Sequence, residues 1–446
     1  MNATNNNNNN NKLTNAPLFE YGNIHRQTIC QSVSWNSTGS ILASSSTQGV
    51  VKIWSCPSLS SFSMDSNTKN NSSSGNNSNS NNNKELTTLD HRFPVERVRF
   101  HPTESTLLCT NVKDRSIQLW DVRTRGNQSK SIAKIDLQSN VSSYASSVEW
   151  MGDGDGNATT TTNSKYLAVT EKNDSVYIYD IRKLQRKNTT ATTKSTTKTT
   201  ASSSSSYIPV HSFHFAPHFE VTETHFSPSG THLISAVRNG NDNMGSLIVY
   251  PLLQNNNNSN NNDTYQSTTT TTTTSNNNIM DILSSSSSSK TFIAHTGKIY
   301  SMKFSPNGQG LATGGNDALV GLWDVPTMVC TSTISRRSKF IRSVSYSHDS
   351  KLVASCTEED GVDISIASSG ELLCNVNLTN VNGGFGNRNN DRRNFGYVYG
   401  GADEIAFHPT SYLLACARGD DNRNGGGQPQ IPEVTIVKIP DIGNNR

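Results

Sequence analysis

Charge and apolar side chains are both scarce in this sequence. Of its 446 residues, 16% are Asp, Glu, Lys or Arg and 32% are hydrophobic. An ordinary globular domain carries roughly 25% charged residues, and roughly 45–50% apolar ones on a count that includes glycine. The 30 glycines do not close the gap. No apolar run approaches the roughly 20 residues of a membrane span. The start, Met1-Asn2-Ala3-Thr4 followed by asparagine, lacks the basic and apolar stretches of a cleaved signal peptide. Seven cysteines make an odd count with no Cys-x-x-Cys pair. That disfavours a disulfide scaffold and a zinc ribbon, and it suits a reducing compartment, cytosol or nucleus. A net charge of +3 is too near zero to indicate a nucleic-acid binder, so any basic surface must be local. There is no Gly-x-x-x-x-Gly-Lys-Ser/Thr cradle for phosphate. Carboxylates form no isolated convergent pair, and most acidic residues fall in turns or at alternating strand positions.

Asparagine, serine and threonine fill the deficit, and they do so in tracts: Asn5–Asn11, Ser72–Asn83, Thr189–Ser206, Asn255–Ser289 and Asn382–Asn394. Such tracts bury too little apolar surface to offset the entropy of ordering them. The expected organisation is a disordered Asn-rich tail over 1–16, one folded unit over 17–439 and a short tail over 440–446. Disordered inserts are expected at about 60–83, 152–163, 187–206, 254–290, 382–400 and 420–430.

Between the tracts a pattern recurs: alternating apolar residues, an aromatic, a Ser/His-Pro or similar pair, then a turn. Its aromatic positions are Trp35, Phe100, Trp150, Phe226, Phe304, Tyr346 and Phe407. The raw spacings are 65, 50, 76, 78, 42 and 61 residues. With the tracts removed, the long ones fall to about 41–44, the length of a four-stranded propeller blade. Each unit continues with a strand of small residues, such as Leu107–Thr110 or Leu311–Gly314. An alternating strand follows, such as Ser116–Asp121 or Val362–Ile366, whose Val, Ile, Tyr and Trp mark half-buried antiparallel pairing. The fold class is therefore all-β, a seven-bladed propeller. The seventh unit ends at about Lys438 without a fourth strand. Leu18–Tyr21 is the expected donor, which would remove the open sheet edge.

Two units carry a matched polar set: His91, Thr110, Asp114 and Trp120, then His295, Thr313, Asp317 and Trp323. A catalytic triad occurs once per enzyme, whereas this set repeats per blade. A buried indole N–H needs an acceptor, so the set reads as a hydrogen-bond chain stapling each blade. No catalytic residue, metal ligand, cofactor or small-molecule substrate is indicated. Elsewhere the set erodes: Gln48 replaces the Asp of the first unit, and Cys356 and Ile366 stand in for hydroxyl and Trp in the sixth. Cys109, Cys356 and Cys416 sit in small-residue strands and read as buried core.

Together these features resemble the WD40-repeat family from about Leu18 to Lys438. The resemblance implies that the turn preceding each first strand lies on a partner-binding face. Candidates on it, four and six residues before the aromatic or just before the turn Asp, are Pro94, Glu96, Lys113, Tyr144, Lys298, Tyr300, Asn316, Phe340 and Arg342. A basic cluster, Arg336, Arg337, Lys339 and Arg342 beside Phe340, suits RNA phosphate with a stacked base, an acidic partner protein, or a solvated loop. Within the WD40 group, Asn316-Asp-Ala-Leu-Val320 and Val362-Asp-Ile-Ser-Ile366 are similar to the THO complex subunit 3 family, as are Phe219–Glu223 and Ile117–Arg123. That resemblance implies a nuclear, non-enzymatic scaffold of the transcription–export complex, docked on other subunits for mRNA processing and export, with weak RNA contact at most. A rival resemblance lies in Trp120-Asp-Val-Arg123 and Tyr179-Asp-Ile-Arg182. They resemble the adaptor-docking element of substrate receptors for cullin-4-type ubiquitin ligases.

Overall fold

The computed structural model describes residues 18–21, 30–56, 85–123, 131–137, 145–152, 165–171, 175–185, 207–252, 289–357, 361–376, 378, 401–418 and 434–439. The two expected tails and nearly all of the expected inserts lie outside these residues. The insert expected to end at 290 is placed too far, because Lys290 already opens a strand.

Seven four-stranded antiparallel sheets follow one another along the chain. After β1 (Leu18–Tyr21), blade 1 comprises β2 (Cys30–Trp35), β3 (Ile41–Ser46), β4 (Val50–Ser55) and β5 (Glu85–Asp90). Blade 2 comprises β6 (Val95–Phe100), β7 (Leu107–Val112), β8 (Ser116–Asp121) and β9 (Ser131–Asp136). Blade 3 has β10 (Ala145–Trp150), β11 (Tyr166–Glu171), β12 (Ser175–Asp180), the one-turn helix α1 (Ile181–Gln185) and β13 (His211–His214). Blade 4 has β14 (Phe219–Phe226), β15 (His232–Asn239), β16 (Gly245–Pro251) and β17 (Lys290–His295). Blade 5 has β18 (Ile299–Phe304), β19 (Gly310–Gly315), β20 (Val320–Asp324) and β21 (Val329–Ile334). Blade 6 has β22 (Ser343–Tyr346), β23 (Leu352–Cys356), β24 (Val362–Ile366) and β25 (Leu372–Val376). Blade 7 has β26 (Glu404–Phe407), β27 (Leu413–Ala417) and β28 (Val434–Lys438). Its outer position is taken by β1, with Leu18 opposite Val437 and Tyr21 opposite Val434.

Outside blade 3, where Met151 follows Trp150, a polar residue after the aromatic explains the repeated turn. Ser227, Ser305 and Ser347 each accept, through Oγ, the backbone N–H that restarts the chain: His232 at 2.9 Å, Gly310 at 2.7 Å and Leu352 at 2.9 Å. Asn36 does so for Ile41 at 3.0 Å, and His101 caps Glu104 at 3.0 Å. The fourth turn residue is left-handed at Gly39, Gly230 and Gly308, which glycine adopts without a Cβ penalty. At Gly39 space matters as well, because an added Cβ would lie 2.0 Å from His408 Nε2 of blade 7.

First strands neighbour one another around the whole ring, β2 meeting both β6 and β26. Second strands such as β7, β11, β23 and β27 are buried along their length, while the fourth strands β5, β21 and β25 are largely exposed. The core is therefore the set of interfaces between blades. One such cluster packs Ala43, Val51 and Ile53 of blade 1 on Val98, Leu108 and Trp120 of blade 2. Another closes the ring, setting Leu413, Ala415 and Ile436 of blade 7 on Val33, Trp35 and Leu42.

Candidate protein-docking face

In blade 5 the polar set forms one directed chain. The Trp323 indole N–H donates to Thr313 Oγ1 at 3.0 Å, the Thr313 hydroxyl meets His295 Nε2 at 2.8 Å, and His295 Nδ1 meets Asp317 Oδ1 at 2.9 Å. Asp317 also accepts the N–H groups of Thr296 and Leu319. Burial would push its carboxyl up, but the bonds and the charge of His295 outweigh burial and hold it below its ordinary value. Because His295 ends the outer strand of blade 4, the chain also ties blade 4 to blade 5.

The second set departs from its expected form. Trp120 Nε1 donates to Thr110 Oγ1 at 3.1 Å, and Thr110 meets His91 Nε2 at 2.9 Å. His91 Nδ1 faces Gly49 O at 3.3 Å, whereas Asp114 accepts from Ser116 N at 3.0 Å and Lys134 Nζ at 3.4 Å. The network here is Trp–Thr–His, and Asp114 caps a turn. Burial lowers the His91 pKa and so favours the neutral ring that accepts from Thr110.

The docking candidates gather on one face, where the turn before each first strand is bonded to the turn between second and third strands. Lys113 N donates to Pro94 O, and Asn316 N donates to Lys298 O. A register shift brackets the position four before the aromatic in blades 1 to 5, between Val95 and Arg97 and between Ile299 and Ser301 for example. A bulged residue leaves the ladder and its side chain is re-aimed, which is how Glu96 and Tyr300 come to project. Glu96 pairs with Lys113 at 2.6 Å. Across blades 4 to 6 a continuous strip forms. Arg342 lies over the Phe340 ring, Phe340 packs on Tyr300 with centroids 5.2 Å apart, and Lys298 lies over Tyr300 while pairing with Glu220 at 2.7 Å. Asn316 is exposed beside Tyr300. Tyr144 lies outside the described residues.

The four cations of the basic cluster are not one surface. Arg337 makes a bidentate pair with Asp363 of β24, at 2.9 and 2.7 Å, with side chains only 10% and 5% exposed. Arg336 donates to Gly370 O at 2.8 Å and to Ser365 Oγ. Both hold the connection between blades 5 and 6 against blade 6. Lys339 is exposed, and Arg342 belongs to the aromatic strip.

One site escaped sequence reasoning. Around the axis, Arg99 of β6 bridges Glu404 of β26 at 2.6 Å and Glu149 of β10 at 3.3 Å. Glu149 also meets Lys303 of β18 at 3.5 Å, and His225 of β14 meets Glu223 at 3.3 Å. Carboxylates therefore do converge, contrary to expectation. Burial raises the Glu223 carboxyl, but His225, Lys303 and Arg97 override it and bring it down to about 2. Glu149 and Glu404 are also held below their ordinary value, since their cationic neighbours outweigh burial. The same carboxylates stitch blades together. Met302 N donates to Glu223 at 2.8 Å, and Val33 N donates to Glu404 at 3.2 Å across the closure. Ser32, Ser301 and Ser343 occupy the equivalent position in blades 1, 5 and 6, accepting Val98 N, Val344 N and Ile405 N at 3.2 Å. The signal was a Ser or Glu three residues before the aromatic, in alternation with the core.

Cys109, Cys356 and Cys416 are fully buried. Burial pushes all three thiols up, Cys416 to about 12, so none is a ready nucleophile.

A closed ring of seven four-stranded sheets, with Trp–Thr–His chains stapling blades 2 and 5, makes this a seven-bladed β-propeller with WD40 repeats. The family model described as WD domain, G-beta repeat matches residues 20–55, 83–121 and 286–324. Each matched segment runs from an outer strand through three strands of the next blade and ends at or just beyond Trp54, Trp120 or Trp323. Among known proteins the chain resembles THO complex subunit 3 of Arabidopsis thaliana, 23% identical over 349 residues, covering 78% of this chain and 79% of that protein. WD repeat-containing protein AAC3 of Dictyostelium discoideum is 26% identical over 329 residues, 74% of this chain but only 52% of that protein. Protein TEX1 of Saccharomyces cerevisiae is 30% identical over 87 residues, 20% of this chain and 21% of that protein.

Proposed function

We propose that this propeller is a non-enzymatic docking subunit of a THO-type assembly in the nucleus, acting in mRNA processing and export by holding partner proteins on the face described above. The observation that carries the reading is the similarity to THO complex subunit 3 across 79% of that protein's length. The Lys298–Tyr300–Phe340–Arg342 strip supports it, because Tyr and Arg are enriched among interface anchors. Affinity purification of the tagged chain tests it. THO subunits and export factors are the expected companions, and Tyr300→Ala with Phe340→Ala is expected to lower their recovery at least tenfold while leaving the ring folded. Recovery of a cullin and its adaptor without THO proteins would overturn the reading. The cullin alternative has its own observation. Arg123, 73% exposed, and Arg182 project from adjacent blades, each held by the Asp two residues before it. Arg123→Ala with Arg182→Ala separates the two, since only ligase-adaptor binding depends on those side chains.

A further inference from the structure

The face opposite the aromatic strip holds a cavity of about 530 Å3 between blades 4 and 5, within the range of roughly 300–1,000 Å3 typical of binding pockets. Its apolar floor is Ile234, Val249, Phe292, Val325 and Met328. Lys290 supplies its positive charge, burial disfavours a charged His232, and no described lining residue is acidic. Pro251 and Lys290, which flank the stretch 253–288, both line the cavity. That stretch is almost wholly Asn, Thr and Ser. Apart from Leu253 and Tyr265, its apolar side chains are confined to Ile279-Met280-Asp281-Ile282-Leu283. Leu283 stands seven positions before Lys290, a reach of about 25 Å at full extension, so the intervening chain is long enough for the five residues to meet the cavity.

We propose that this groove binds an acidic aliphatic peptide and that its occupant is the chain's own Ile279–Leu283. The four apolar side chains leave water against the floor, and Asp281 meets Lys290 on a rim with no carboxylate among its described lining residues. The short tether gives an effective concentration in the millimolar range, so occupation in cis needs only weak intrinsic affinity. The inference stands apart from the THO reading, because its test involves no other protein.

A fluorescein-labelled peptide of residues 276–286 is titrated by anisotropy against the native full chain and the full-length Ile282→Asp/Leu283→Asp variant. The variant, its groove vacated, is expected to bind the peptide at least tenfold more tightly than the native chain. Adding Met328→Asp to that variant is expected to abolish the gain. Met328 has φ 52°, a conformation Asp tolerates, and an unchanged melting midpoint verifies that the ring persists. A peptide that binds neither chain, binds both equally, or ignores Met328→Asp overturns the proposal.

Discussion

Thr313 is a hinge in the hydrogen-bond sense: one hydroxyl accepts the Trp323 indole N–H and serves His295. Thr313→Val keeps the shape but leaves a buried indole N–H and a buried imidazole nitrogen without that partner. The expected loss is about 1–3 kcal/mol by urea denaturation, larger than for Ser44→Ala in blade 1, where Trp54 reaches the hydroxyl at the longer 3.4 Å. Equal losses would mean that the His–Asp end of the chain adds nothing. Glu223 allows a test in pH. Its folded-state carboxyl is brought from 4.5 down to about 2. The stability it contributes is thus complete above about pH 4.5 and is lost as pH falls through about 2, and it is of order 3 kcal/mol. Glu223→Gln is expected to be less stable than the native chain at pH 7 and to converge with it near pH 2. A gap that stays constant from pH 7 to pH 2 would show that the Glu223 charge is not the source.

At the scale of elements, the deletion of residues 1–21 isolates the closure. It strips β1 from β28 and exposes a sheet edge next to the Val33–Ile436 interface. The melting midpoint is expected to fall by about 5 °C or more, with self-association visible by light scattering. A monomer of native stability would show that the ring closes without its outer strand. The sequence made this strand visible because a repeat begins with the outer strand of the preceding blade, so the first repeat must lend one to the last. Second and third strands were equally legible: Leu107–Thr110 and Leu311–Gly314 fall inside β7 and β19, and Ser116–Asp121 and Val362–Ile366 stand as expected. Outer strands such as Glu85–Asp90 and Val329–Ile334 were not, since only one residue of each is buried and no period-2 signal arises. The docking positions were readable by offset because the bulge recurs at a fixed distance from the aromatic. Partnerships across blades were not. Arg99 and Glu404 lie 305 residues apart in sequence, Arg337 and Asp363 belong to a connection and the blade beyond it, and Asp114 was diverted by Ser116 and Lys134.

For the whole molecule, the balance of charge becomes a question of where the cations are committed. The net charge is +3, yet Arg99 and Lys303 are occupied at the axis and Arg336 and Arg337 on blade 6. Within the basic cluster, Lys339 is exposed and Arg342 lies over the Phe340 ring, and these two are the cations placed to meet phosphate. Two contacts to single-stranded RNA give a slope of log K against log salt of about −1.4. The purified propeller is therefore expected to bind a single-stranded RNA with a slope no steeper than this, measured by anisotropy between 50 and 200 mM salt. Arg337→Ala is expected to leave that slope alone while lowering stability by about 1–3 kcal/mol, because the buried Asp363 loses its bidentate partner while Asn375 at 2.8 Å and Arg336 at 3.8 Å stay beside it. A slope several units steeper, flattened by Arg337→Ala in a chain of unchanged stability, would make the cluster a phosphate site after all. The scaffold reading would then give way to one in which the ring meets RNA directly.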